Sequence, residues 1–209
     1  MDSKEASDPE GLRCKAVELE AAGKRKDAGK AFEQAFNVAH ELFLRRITDR
    51  LGKNRTSKTP LTEILTGMIP TLDSGIDSAR SAVRLKSPHA SDEIFLLGAQ
   101  ALLKLRRFIE SGEKVYANDE AETPLKILEK PRPDFTEIGR TNGTQGDVVL
   151  LAIFGADGKI SFGAPFVSIP SRLTDEALIA LKKIKFVPAT KNGRPVPVMI
   201  LPEYSFSVR

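Results

Sequence analysis

Through the first half of the chain, apolar residues recur at intervals of three and four. Leu12, Ala16 and Leu19 share one face of a predicted helix over residues 10–22, which Gly23 ends. Ala28, Phe32, Ala35, Phe36, Ala39 and Phe43 mark a second helix over residues 26–46. Ala28 and Ala35 are small and Phe32 lies between them, so two backbones can approach while the ring fills the gap. A polar loop, Gly52–Pro60, follows. Ile64, Leu65, Met68 and Ile69 then precede a break at Pro70, and Ile76, Ala79 and Val83 resume the helical period. Ser91-Asp92 offers an N-cap for a long helix reaching to about Tyr116, with Phe95, Leu97, Leu102, Leu105, Phe108 and Ile109 on its apolar faces. The pattern predicts an all-helical domain over residues 1–116 and a linker over 117–123.

After Pro124 the period changes. Asp134 can cap a short helix, with Glu137 three residues on to reach back, and Gly143 ends it. Asp147–Phe154 reads as a strand, Asp157-Gly158 as a hairpin turn and Lys159–Ser168 as the returning strand. A second helix starts at Thr174-Asp175-Glu176, with acid at its positive end, and finishes on Lys182, Lys183 and Lys185, with base at its negative end. Ala177, Leu178, Leu181 and Ile184 form its apolar stripe. Asn192-Gly193 turns the chain into a last strand from about Val196 to Val208. The fold class is therefore α+β: a helical domain, then residues 124–209 as two helices on one face of a three-stranded antiparallel sheet.

Composition changes this picture little. Of 209 residues, 41% are hydrophobic and 29% charged, as in ordinary globular chains. No apolar run approaches the roughly 20 residues of a membrane helix. The start, Met1-Asp2-Ser3-Lys4-Glu5, lacks the basic and apolar regions of a signal peptide, so a chain with no membrane span is expected. The net charge of +4 falls wholly on residues 124–209, where 12 Lys/Arg stand against 8 Asp/Glu. There is no tryptophan and no basic run interleaved with aromatics, which argues against nucleic acid as a partner. His40, His89 and Cys14 are too scattered for a metal site. Both histidines are expected to face solvent, and Cys14 to pack. No nucleophile, base and orienter can be assembled, and Gly155-Ala156-Asp157-Gly158 is a hairpin turn, not a phosphate loop. The reading is non-enzymatic, with no catalytic residue, metal or cofactor.

Two resemblances add to it. The glycine turn after the first helix, with its small-large-small spacing, resembles one tetratricopeptide unit, although an ordinary helical hairpin fits the same residues. Residues 124–209 resemble the TonB C-terminal family. The motifs are Lys130-Pro131-Arg132-Pro133, Gly143-Thr144-Gln145-Gly146, Phe154-Gly155-Ala156-Asp157-Gly158-Lys159, Leu173-Thr174-Asp175-Glu176, Phe186-Val187-Pro188-Ala189, Asn192-Gly193-Arg194-Pro195-Val196 and Glu203-Tyr204-Ser205-Phe206.

That resemblance implies a protein-binding module in the periplasm. Its partner would be an extended segment of an outer-membrane receptor, added as a strand at the sheet edge. The residues so implied are Val198, Met199, Ile200, Leu201, Glu203, Tyr204, Ser205 and Phe206. The expected state is a monomer or weak dimer. Three departures stand out. No membrane helix or proline-rich span ties this chain to a motor. Pro202 lies inside the last strand, and is expected on its outward row. Val148–Phe154 is apolar on both faces, so Val149, Leu151 and Ile153, with Phe162, Phe166, Met199 and Leu201 by the family's alignment, need cover. The alternative function is a helical-repeat scaffold in which the TonB-like part is a docking or dimerisation surface.

Overall fold

A computed structural model describes residues 8–53 and 56–207. The polar start Met1–Glu5, the loop residues Asn54 and Arg55 and the strand end at Val208 lie outside the described residues. The chain divides into two compact units, Met1–Ile47 with Leu65–Ser111 and Thr48–Ile64 with Gly112–Arg209. The segment Thr48–Ile64, read above within the helical domain, groups with the second unit.

Helices α1 (Pro9–Ala21), α2 (Arg25–Leu51), α3 (Leu61–Gly67), α4 (Ile69–Arg84) and α5 (Glu93–Glu110) follow the apolar periods. The Asp8 carboxylate caps α1 by accepting from the Glu10 and Gly11 N–H groups. Pro70 sits in the first turn of α4, where its missing N–H costs nothing, so the break falls at Met68. Helix α1 makes its main backbone approach to α4, where Arg84 grips Glu20 through both terminal guanidinium nitrogens at 2.6 and 2.8 Å. The core holds Phe32, Phe36 and Phe43 from α2 and Leu72, Ile76 and Leu102 from the later helices. Gly75 allows the closest approach, since a Cβ there would stand 2.8 Å from Leu102 Cδ1 and 3.0 Å from Ala39. Asp92 precedes α5 but makes no side-chain cap bond; its carboxylate takes His89 instead. Gly112, at φ 68°, leads the chain away after α5, six residues earlier than the apolar period suggested.

His40 does not face solvent. It stacks between Phe36 and Phe43, at 5.6 and 5.9 Å between ring centres, and its Nε2 is enclosed with no partner among the described residues. The apolar stripe it shares with these rings gave it this place, and burial pulls its pKa from 6.5 down to about 4. Above pH 6.5 the ring is neutral in folded and unfolded chains alike. Its contribution to stability is lost as pH falls from there through about 4, by on the order of 2–3 kcal/mol. His40→Leu should remove that component, so its urea midpoint should fall less than the parent's between pH 7 and 4.5. Parallel falls would show the ring to be solvated.

The second unit is built on β3 (Gly146–Phe154). It pairs antiparallel with β4 (Ile160–Val167) on one side. On the other it pairs with β8 (Val198–Ile200) through Ala152–Phe154 and with β9 (Glu203–Phe206) through Gly146–Val149. The predicted last strand is therefore two, separated at Leu201-Pro202. Register shifts bracket β4 between Val149 and Leu150 and between Ile153 and Phe154. Phe162 stays opposite Ile153, as expected. The predicted linker is ordered: Tyr116–Ala117 form β1, parallel to β8, and Asn118–Glu120 form a 3-10 turn. Two ribbons complete the unit, β2 (Lys126–Glu129) with β5 (Lys185–Val187) and β6 (Ala189–Lys191) with β7 (Arg194–Val196). Asn192 and Gly193, at φ 52° and 68°, make the second turn.

Thr136 rather than Asp134 caps α6 (Glu137–Thr141), accepting from the Gly139 N–H. Helix α7 (Leu173–Leu181) lays Leu173, Ala177, Ala180 and Leu181 on Val148, Leu150, Ala152 and Phe154. Gly163 permits this, because a Cβ there would meet Leu181 at 2.8 Å. On the other face of the sheet Leu151, Ile153, Met199 and Phe166 are buried, while Val149, Phe162 and Leu201 are half-buried. Arg50, 1% exposed, anchors the loop after α2. It donates to the Thr59 carbonyl and to Asp119 at 2.8 Å each and lies 3.3 Å from Glu120. Glu120 in turn accepts from the Leu61 and Ala117 N–H groups. Among the described residues no helix is long and apolar enough to cross a membrane.

Candidate functional site

The eight residues expected at the open edge do not share one environment. Val198 and Met199 are fully buried in β8, and β1 pairs with them on the side away from β3. That corrects their assignment to an edge: the segment after α5, taken for a linker, already occupies it. Ile200 and Leu201 are half-buried where β8 gives way to β9. Glu203, Tyr204, Ser205 and Phe206 form β9, which among the described residues pairs only with β3.

The direction of each backbone group on β9 follows from one bond. The Leu150 N–H donates to the Pro202 carbonyl at 2.9 Å. On an antiparallel strand, alternate residues turn N–H and C=O the same way. Pro202, Tyr204 and Phe206 therefore face β3, and Glu203 and Ser205 face outward. Pro202 thus falls on the inward row, contrary to expectation, and the ladder forgoes one bond where the strand breaks. A proline is tolerated there because it opens β9 rather than interrupting it.

Outside this row lies a groove of about 610 Å³, lined by Lys130, Pro131, Arg132, Pro133, Phe135, Arg140 and residues 203–207. Pro131 and Pro133 have no N–H to give, and the segment that holds them forms no strand beside β9. Phe135 sets its ring edge-on to Phe206 at 5.8 Å, and Arg140 lies 5.4 Å from the Phe135 ring. Lys130 Nζ donates to the Glu203 carbonyl and sits 4.5 Å from the centre of the Tyr204 ring. Tyr204 is buried with its hydroxyl unpartnered among the described residues, and burial pushes its pKa up to about 12. Burial also lowers the Lys130 pKa, against the pull of Glu203. The Glu203 carboxylate is held by Lys53 at 2.8 Å. Arg132 and Arg140 are exposed, so the groove is rimmed by three cations and one engaged carboxylate.

Lys130, Arg132, Phe135 and Arg140 were not assigned a binding role from sequence. Their signal was there in part, since two prolines next to basic residues mark an extended segment short of backbone donors. A second groove, about 320 Å³ and largely apolar, runs along the helical unit between α4 and α5, lined by Ile76, Ala79, Val83, Leu96, Ala99 and Leu103 with Arg80 and Gln100. Among the described residues, no group of three or more His, Cys, Asp or Glu could hold a metal.

No family model and no curated protein matches the chain, and nothing supports the tetratricopeptide resemblance. A solved structure, the solution NMR structure of the Pseudomonas aeruginosa TonB C-terminal domain, is 27% identical. The match covers 41% of this chain and 87% of that chain at a TM-score of 0.35. At that score the likeness assigns neither fold nor function.

Proposed function

We propose that the second unit is a non-enzymatic protein-binding module that takes an extended segment of a partner as an added strand along Glu203–Phe206. The observation that carries this reading is the outward row of β9, open onto a groove whose other wall is not paired with it. Backbone bonding supplies affinity with little demand on sequence, and the groove side chains supply selection. The resemblance in the sequence makes a receptor segment of the outer membrane the partner class, and the periplasm the place. The groove between α4 and α5 favours a second reading, in which the helical unit is the scaffold that binds.

Ser205→Pro tests the first reading against the second. Ser205 is exposed and its N–H faces outward, so proline there spares the sheet's own ladder. Heptapeptides selected from a random library on the full chain should bind the variant about tenfold more weakly or worse, with melting unchanged, as expected for losing a backbone bond and admitting a clash. Equal binding to parent and variant would sink strand addition, and would be the result for ligands of the helical groove.

A further inference from the structure

The ammonium of Lys130 stands where the N–H of an incoming strand would stand, because both donate to the outward carbonyl of Glu203. From this placement we infer that Lys130 is an internal stand-in for the partner, and that it selects extended segments carrying a carboxylate at the position facing it. The inference rests on the strand-addition reading and specifies its ligand.

An added strand needs the Glu203 carbonyl, so it must displace the ammonium. The displaced group then lies among Arg132, Arg140 and the Tyr204 ring, with the Glu203 carboxylate already bound to Lys53. What remains for it in the groove is water and the second oxygen of a Glu203 carboxylate that it must share with Lys53. A neutral segment thus takes the carbonyl and offers the ammonium nothing in exchange. An acidic segment exchanges the same bond and gives the ammonium a charge-assisted partner, stronger than the carbonyl it left. Arg132, which has no carboxylate partner among the described residues, reinforces the preference without blocking the carbonyl.

The test uses the full chain, a selected acidic heptapeptide and its twin with the carboxylate changed to the amide, each measured on the parent, Lys130→Met and Ser205→Pro. Lys130→Met keeps the stem and removes the charge. It should weaken the acidic peptide about fivefold and strengthen the amide twin about threefold, changes of opposite sign that a merely structural role would not give. Lys130→Gln serves as a second variant should the methionine side chain disturb folding. If both peptides respond alike to Lys130→Met while Ser205→Pro weakens both, strand addition stands and the stand-in role falls. If Ser205→Pro binds both like the parent, the underlying reading falls and this one with it. A parent that selects peptides with no excess of Asp and Glu also overturns the proposal.

Discussion

Leu151→Lys should unfold the second unit under conditions where the parent is intact. Leu151 is 1% exposed, on the face of β3 turned away from α7, with Ile153 and Met199 beside it at full burial. The buried residues beside it on this face are apolar. An ammonium placed there loses its hydration without a counter-charge, and the packing of a leucine is lost with it. Together these cost on the order of 4 kcal/mol or more, a large share of a small domain's stability. Leu151→Met, which nearly keeps the volume, should cost less than about 1.5 kcal/mol. Urea melts of the two variants beside the parent decide the matter. A lysine variant with the parent's midpoint would mean that this face is wet.

Arg50→Met should cost roughly 2–4 kcal/mol, somewhat below the usual penalty for breaking a fully buried ion pair, because Asp119 and Glu120 keep partial access to water. The loss is cooperative in a specific sense. Glu120 also holds the Leu61 and Ala117 N–H groups, so releasing Arg50 loosens the start of α3 and the β1 strand together. Amide exchange should therefore quicken at Leu61 and Ala117 as well as globally. Glu120→Gln keeps an acceptor for those groups and should be the milder change. If Arg50→Met matches the parent in midpoint and exchange, the cluster is ornamental.

These two residues also mark the boundary of what sequence could reveal. The turn at Asn192-Gly193 and the faces of α2 were legible because each depends on neighbours a few positions away. Val148–Phe154 declared a strand buried on both faces for the same reason. Arg50 finds its carboxylates 69 and 70 positions along, in a stretch whose composition is that of a linker. No local pattern encodes that meeting. The open edge failed in the same way: β1 is two residues long, too short for any period, yet it closes half of the edge. His40 was misjudged differently. Its polarity was weighed and its position on the stripe of Phe36 and Phe43 was not. In the groove, Glu203–Phe206 was named from resemblance, while Lys130 became visible only when the fold laid residues 130 and 203 side by side.

That two-residue strand sets a time scale. With β1 seated on Val198 and Met199, β9 is the part of that edge left for the proposed guest, and Glu203 and Ser205 turn their backbone groups toward it. A few hydrogen bonds at about 1 kcal/mol net each, with modest burial in the groove, correspond to a dissociation constant near ~100 μM. At an association rate of ~10⁶ M⁻¹s⁻¹, such a complex lasts about 10 ms. A guest held for milliseconds is sampled and released many times a second. The edge left by β1 suits a module that polls its partner repeatedly, and a lasting grip would need a second point of attachment.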